Sequence, residues 1–144
     1  MYIKNAKRII SLTLSLAFLI CVNISSAATL QVSPSSSKIS VGNIASIKFT
    51  VNTDGKAINN VDGIVQFPTD LLEVISVGKT SSIFTLWVED PKFSNTLGQI
   101  TFNGGVPNPG YNGYGGEIVS VVFKAKKQGT ANIFYADSAV RAND

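Results

Sequence analysis

The sequence contains no histidine, and Cys21 is the only cysteine in its 144 residues. Without histidine the chain cannot form the Ser-His-Asp or Cys-His pairs that activate a nucleophile, and it lacks a common zinc ligand. A single cysteine allows no disulfide within the chain. The fold must therefore be held by packing, and carboxylates remain as the candidate groups for acid–base chemistry.

The first residues have the pattern of a secretory signal peptide. Lys4, Lys7 and Arg8 form a positive segment, Ile9 to Val22 is an almost uninterrupted apolar run, and Ala27-Ala28 offers small residues for cleavage. The apolar run is shorter than the roughly 20 residues that a membrane-spanning helix needs. We expect cleavage after Ala27 or Ala28.

Removal of residues 1–28 changes the charge and the chemistry of the chain. Three of the twelve Lys and Arg residues lie in that segment and none of the nine Asp and Glu residues does, so residues 29–144 are balanced at nine of each. A nucleic-acid-binding surface would need a clustered excess of cations, so this class is excluded. Residues 29–144 are predicted to form one exported domain, whose membrane contact is limited to the signal peptide or an anchor beyond this chain.

The rest of the chain alternates between apolar and polar residues with a period of two. In "SIKFTVN" the apolar side chains of Ile47, Phe49 and Val51 fall on one side of a strand, opposite Lys48 and Thr50. No segment keeps a helical period, and Gly, Pro and Asp residues mark turns between the runs. Many short strands at this spacing predict an all-β, antiparallel β-sandwich. We expect strands near 29–33, 44–52, 60–67, 72–77, 84–89, 98–104, 117–125 and 130–136, with another beginning near 138.

Three acidic pairs are candidates for catalysis or metal binding, but the pattern around them favours solvated turn residues. A glycosidase needs two carboxyl groups about 5–10 Å apart across a cleft, and sequence spacing does not predict such convergence. A D-x-D-x-D-G calcium loop is missing. We expect no catalytic residue, no metal and no cofactor. The three pairs are Asp70 and Glu73, Glu89 and Asp90, and Asp54 and Asp62.

The stretch "NGGVPNPGYNGYGG" (residues 103–116) is unusually rich in glycine and proline. It has neither the G-x-x-x-x-G-K-[ST] pattern nor a following helix, so a phosphate-binding loop is excluded. Its glycines permit turns with positive φ, and its prolines restrict the chain. This composition favours a long connection between two strands.

Exposed aromatic rings would favour a carbohydrate-binding module instead. The candidates for stacking on sugar are Trp87, Tyr111 and Tyr114, and Tyr135 is a fourth aromatic residue with this potential. In "FTLWVED", alternation groups Trp87 with polar residues and so favours an outward orientation. We favour two competing interpretations, a tryptophan half-buried against a loop and tyrosines that pin the long connection onto the sandwich.

Four segments in their order along the chain resemble a cohesin domain. They are "LQVSPSSSKISVGNIASIKFTVN", "INNVDGIVQFPTDLLEVISV", "GQITFNGGVPNPGYNGYGGEIVSVVFKAKKQGTANI" and "SAVRAND". The resemblance implies a jelly-roll sandwich of about nine strands, related in fold to cellulose-binding modules, with its last strand truncated in "SAVRAND". It also implies a non-catalytic module that binds dockerin modules, in bacterial cellulosomes or at the cell surface.

The resemblance also implies where the partner would bind. Asn60-Val61-Asp62 matches an Asn-x-Asp pair on the docking face of cohesins, and alternation adds Ile64 and Gln66 to the same face. A neighbouring strand would contribute two further polar residues to this face, Thr101 and Asn103.

Two positions depart from the pattern of the family. Phe67-Pro68-Thr69 stands where the family has an aromatic-Asp-Pro turn, and Gly104-Gly105 stands where an acidic docking residue is frequent.

The sequence thus predicts an extracellular docking module with a dockerin-like partner, linked to polysaccharide degradation or cell-surface assembly. A polysaccharide ligand, bound by a carbohydrate-binding module of the same fold, is the first alternative. A structural or adhesin spacer domain is the second. Nucleic acid is not an expected partner.

Overall fold

The computed structural model describes residues 28–142, so the predicted signal peptide, apart from Ala28, lies outside the described residues. This part of the chain contains eight strands and no helix, hence no helix that could cross a membrane. The strands are β1 (Thr29–Pro34), β2 (Ile44–Asn52), β3 (Ile58–Gln66), β4 (Leu72–Gly78), β5 (Leu86–Ser94), β6 (Gln99–Gly105), β7 (Gly116–Ala125) and β8 (Phe134–Ala142).

The strands form two four-stranded sheets, with the orders β1-β2-β7-β4 and β5-β6-β3-β8. Every neighbouring pair is antiparallel. Most strands that follow each other in the chain lie in different sheets, which is the connectivity of a jelly roll. The predicted all-β, antiparallel sandwich with jelly-roll topology is therefore confirmed, with eight strands in residues 28–142 where about nine were expected.

The core lies between the sheets and is built by the period-two pattern. Phe49 on β2, Phe102 on β6 and Phe123 on β7 are at most 1% exposed. Phe67 packs edge-on against Phe123, with ring centroids 5.3 Å apart. Because β2 and β7 are central in one sheet and β3 and β6 in the other, their inward side chains supply most of this core.

The predicted strand ends differ most from the structure at β5 and β8. Pro91 follows the strand expected at 84–89 but lies within β5, which pairs only with β6 and so tolerates a residue without an N–H. The two strands expected at 130–136 and from 138 are one strand, β8. Ala136 is the extra residue of a bulge in β8, and it breaks the alternation that the sequence shows on either side.

Candidate functional site

One broad face of the β5-β6-β3-β8 sheet points away from the core, and we call it the outer face. Its residues follow from strand register, since directly opposed residues of antiparallel strands share a side of the sheet. Central strand β3 alternates between fully buried Val61 and Val65 and partly exposed Asn60, Asp62 and Ile64. Reading across the strands gives four rows, Leu86–Gly105–Asn60–Arg141, Glu89–Asn103–Asp62–Ala139, Lys92–Thr101–Ile64–Asp137 and Ser94–Gln99–Gln66–Phe134.

All five side chains predicted to face a partner lie on the outer face. Asn60, Asp62 and Gln66 come from β3, and Thr101 and Asn103 come from β6, which is paired with β3 along its whole length. The sheet register thus brings the two predicted groups together. Their role in binding stays a prediction.

A hydrogen-bonded network joins three strands at one end of the outer face. Arg141 Nη1 donates to Asn60 Oδ1 at 2.7 Å and also to Asp62 Oδ1, with which it forms an ion pair. Asn60 Nδ2 in turn donates to Asn103 Oδ1 at 2.8 Å and to the Gly104 carbonyl at 2.9 Å. Arg141 therefore holds the two β3 side chains in place and occupies acceptor atoms that a partner would otherwise reach.

Arg141 was not recognised from the sequence as part of this site. The sequence predicts a strand beginning near 138, and local alternation does not reveal which strand it would pair with. The pairing of Asn60 with Arg141 across β3 and β8 is what brings the guanidinium to the two side chains.

A second polar cluster lies on the β5 side of the outer face. Glu89 accepts hydrogen bonds from Lys92 Nζ at 2.6 Å and from Thr101 Oγ1 at 3.2 Å. The bond from Lys92 is the main reason why the pKa of Glu89 lies below its usual value. Glu89 and Lys92 thus compensate each other's charge within the face.

Trp87 lies on the core side of the sheet, which contradicts the outward orientation that alternation favours. Its ring packs edge-on against Phe84 with centroids 6.0 Å apart, and Lys79 Nζ lies 5.3 Å from its centroid. Leu86 and Val88, which alternation grouped with the core residues, are 58% and 82% exposed. A bulge between positions 87 and 89 disturbs the pattern of β5.

Gly104 is what makes room for the tryptophan. A Cβ at this position would lie 2.8 Å from the Trp87 ring and 2.9 Å from the Phe84 ring. At Gly105 a Cβ would lie 2.7 Å from the Asn59 carbonyl oxygen. Both glycines belong to β6, and packing against their backbone explains why no acidic residue stands there.

We expect Gly104→Ala to destabilise the domain by roughly 1–3 kcal/mol, because the added methyl group must displace two rings. Gly78→Ala is the matched control, since its Cβ would meet only Ser120, with the hydroxyl at 3.2 Å and the carbonyl oxygen at 3.8 Å. Urea unfolding followed by tryptophan fluorescence measures both variants. Equal losses for the two variants would contradict this explanation of Gly104.

Tyr111 and Tyr114 do not form a flat row of exposed rings with Trp87. Tyr111 packs on the core and covers Gly116, whose Cβ would lie 2.5 Å from its ring. It also pairs with Ile58 through two backbone hydrogen bonds. Tyr114 is 77% exposed, so it is the one ring of the three candidates that is open to solvent.

Tyr135, the fourth aromatic candidate, faces the interior. Its ring packs edge-on against Phe49 at 5.8 Å between centroids. Burial raises the pKa of its hydroxyl, which makes no hydrogen bond within residues 28–142. Tyr135 is therefore unavailable for stacking on a ligand at the surface.

The long connection between β6 and β7 is attached to the β2–β3 turn by side-chain hydrogen bonds. Thr53 Oγ1 donates to Asn112 Oδ1 at 2.7 Å, and Asn112 Nδ2 donates to the Gly55 carbonyl at 3.1 Å. The Gly115 N–H donates to Asn52 Oδ1 at 2.6 Å. These contacts agree with the interpretation of this stretch as a structural connection.

The acidic pairs do not converge into a metal site. Residues 28–142 contain no group of three or more Asp, Glu, Cys or His side chains that could hold an ion. Asp90 is paired with Lys79, Asp62 with Arg141, and Glu89 with Lys92. These carboxylates are thus neutralised by separate cations.

No protein-family model matches the chain, and no curated protein matches it. Solved structures of cohesin modules do match it in fold. The sixth cohesin of scaffoldin B from Acetivibrio cellulolyticus, solved in complex with a dockerin, has a TM-score of 0.64 and 14% identity, over 80% of this chain and 86% of that chain.

Two further solved structures of cohesin modules also match the chain in fold. A type II cohesin domain from the cellulosome of Acetivibrio cellulolyticus has a TM-score of 0.59 and 14% identity, over 78% of this chain and 76% of that one. A cohesin module from a Clostridium perfringens family 33 glycoside hydrolase has a TM-score of 0.57 and 10% identity, over 81% of this chain and 82% of that one. The resemblance predicted from the sequence is thus confirmed at the level of fold.

Proposed function

We propose that this chain is a non-catalytic docking module that binds a dockerin-type protein through the outer face. The observation that carries the proposal is the composition of that face. Hydrogen bonds and an ion pair hold Asn60, Asp62 and Thr101 in place on the same face as half-buried Ile64. An apolar centre surrounded by ordered polar groups is typical of a protein-binding surface.

The cohesin structures support the same proposal. Several cohesin modules that match this chain in fold were solved in complex with a dockerin. The side chains of Gln66 and Gln99 on the outer face make no hydrogen bond within residues 28–142. They are therefore available to a partner, as protein docking through hydrogen bonds requires.

Carbohydrate binding has weaker support from the side chains. A sugar-binding face would present several exposed rings in a row, whereas of the three candidate rings Trp87 and Tyr111 pack on the core and Tyr114 is exposed. The signal peptide predicted for residues 1–28 would export the module. We propose an extracellular role in the assembly of polysaccharide-degrading enzymes or of a cell-surface complex.

The function is tested by titrating the domain with a panel of dockerin modules in a calorimeter, beside sedimentation with insoluble cellulose and chitin. Saturable binding of a dockerin and no retention on either polysaccharide would support the proposal. Retention on polysaccharide that is lost in Tyr114→Ala, without dockerin binding, would overturn it. Binding in neither assay would favour the spacer domain.

We expect Asp62→Ala to weaken dockerin binding by about 1–3 kcal/mol, because it removes a carboxylate from the outer face and breaks the ion pair that holds Arg141, leaving only the hydrogen bond from Arg141 to Asn60. The fold should tolerate the change, since an exposed ion pair contributes only about 0–1 kcal/mol. Calorimetric titration measures the affinity, and thermal melting measures the stability.

Glu117→Ala is the control for Asp62→Ala. It also breaks a carboxylate–cation pair, with Lys48 at 2.8 Å, but these two residues lie on β7 and β2 of the opposite sheet. Dockerin affinity should stay unchanged in this variant. Equal weakening in both variants would show that general charge, and not the outer face, determines binding.

A further inference from the structure

Asp137 is the one charged residue of the outer face that does not form an ion pair with another residue of that face. The rows defined above contain five charged side chains. Four of them form the pairs Glu89–Lys92 and Asp62–Arg141. The Asp137 carboxylate makes no ion pair or hydrogen bond within residues 28–142.

The register places Asp137 beside the centre of the face. It lies directly opposite Ile64 across the β3–β8 pair, and Ile64 in turn lies opposite Thr101 of β6. The bulge at Ala136 shifts the alternation of β8, so that Tyr135 points inward and Asp137 points outward. The free carboxylate therefore lies against the apolar centre of the face.

Apolar side chains flank Asp137 along β8, while its diagonal neighbours on β3, Asp62 and Gln66, are polar. Ala139 lies outward on the same strand and pairs with Asp62, and 44% exposed Phe134 lies opposite Gln66. A partner that covers Ile64 and Phe134 would also remove water from Asp137. An unpaired carboxylate is costly to desolvate, so the covering surface must supply a cation or a hydrogen-bond donor.

Building on the docking function proposed above, we infer that Asp137 selects the partner. The partner presents a lysine or arginine to Asp137, next to an apolar side chain that packs on Ile64 and Phe134. Because the other cations and anions of the outer face are paired with each other, this contact determines the sign of charge that the face accepts. The chemistry defines a partner with a basic and apolar contact surface.

The experiment starts from the dockerin that binds the wild-type domain most tightly in the panel. Asp137→Asn keeps the shape and removes the charge, and it should weaken binding by about 10-fold. The weakening should shrink as salt rises from about 50 mM to about 500 mM. Asp70→Asn, which removes a charge from the turn before β4, is the matched control and should bind as wild type.

A charge exchange then tests direct contact. Asp137→Lys should lose binding to the wild-type dockerin and regain it with a dockerin in which one surface lysine or arginine is replaced by glutamate. Regained binding in one such pair supports the inference. If no replaced residue restores binding, the direct contact is refuted.

The outcomes separate this inference from the docking function on which it rests. If no dockerin binds the wild-type domain, both are overturned. If Asp137→Asn binds as wild type while Ile64→Lys abolishes binding, docking through the outer face is supported and the role of Asp137 is refuted. Equal weakening by Asp137→Asn and Asp70→Asn also refutes a specific role for Asp137.

Discussion

Ile64→Lys should reduce dockerin affinity by about 100-fold or more, corresponding to about 2.7 kcal/mol. Ile64 lies at the centre of the outer face, between Thr101 on β6 and Asp137 on β8. A lysine there would remove an apolar contact and place a cation at the middle of a desolvated interface. It would also pair with Asp137 and so remove the free carboxylate. Calorimetric titration measures the loss.

Val122→Lys is the matched control for this change. Val122 is a half-buried, β-branched residue on central strand β7, and it faces outward from the opposite sheet beside Ser46. The same substitution there should leave affinity within about 2-fold, because that face is not expected to touch the partner. Similar losses at both positions, or none at Ile64, would contradict docking through the outer face.

Phe102→Ala should destabilise the domain by about 3–5 kcal/mol. The Phe102 side chain is 1% exposed between the two sheets, and no disulfide is available to compensate for lost packing. Its ring also supports the outer face from below, since a Cβ at Gly63 would lie 2.8 Å from Cζ of Phe102. A small domain has about 5–15 kcal/mol of stability in total, so the variant should be close to unfolding.

Phe93→Ala provides the comparison for this loss. Phe93 lies on edge strand β5 of the same sheet and is 40% exposed, so its removal leaves no closed cavity. We expect less than half of the destabilisation measured for Phe102→Ala in urea unfolding. A larger loss at Phe93 would show that the core is not centred between β3, β6 and the opposite sheet.

The strands, and the side of a strand on which each side chain lies, could be predicted because both depend on local alternation, whereas the resemblance to cohesins indicated that β3 and β6 share the docking face. In β3 the pattern from Asn60 to Gln66 is uninterrupted, so the polar side chains were assigned to one face before any strand pairing was known. The same reasoning placed Thr101 and Asn103 outward on β6. A period of two is a property of the strand itself, and sequence is sufficient to detect it.

The features that could not be predicted depend on register or on bulges. Arg141 reaches Asn60 and Asp62 only because β8 pairs with β3 in one particular register. Bulges at Val88 and Ala136 each add one residue and reverse the alternation beyond them. The orientation of Trp87 is determined by the space above Gly104 on the neighbouring strand, which its own segment does not reveal.

The most direct test of the account is an NMR titration of the isotope-labelled domain with a dockerin that binds it. Ile64 reports on the outer face, and 49% exposed Ile75 on β4 reports on the opposite sheet. We predict that the Ile64 methyl signal and the side-chain amide signals of Asn60 and Asn103 shift on binding, while the Ile75 methyl signal does not. Shifts at Ile75 with none at Ile64 would contradict the proposed docking face.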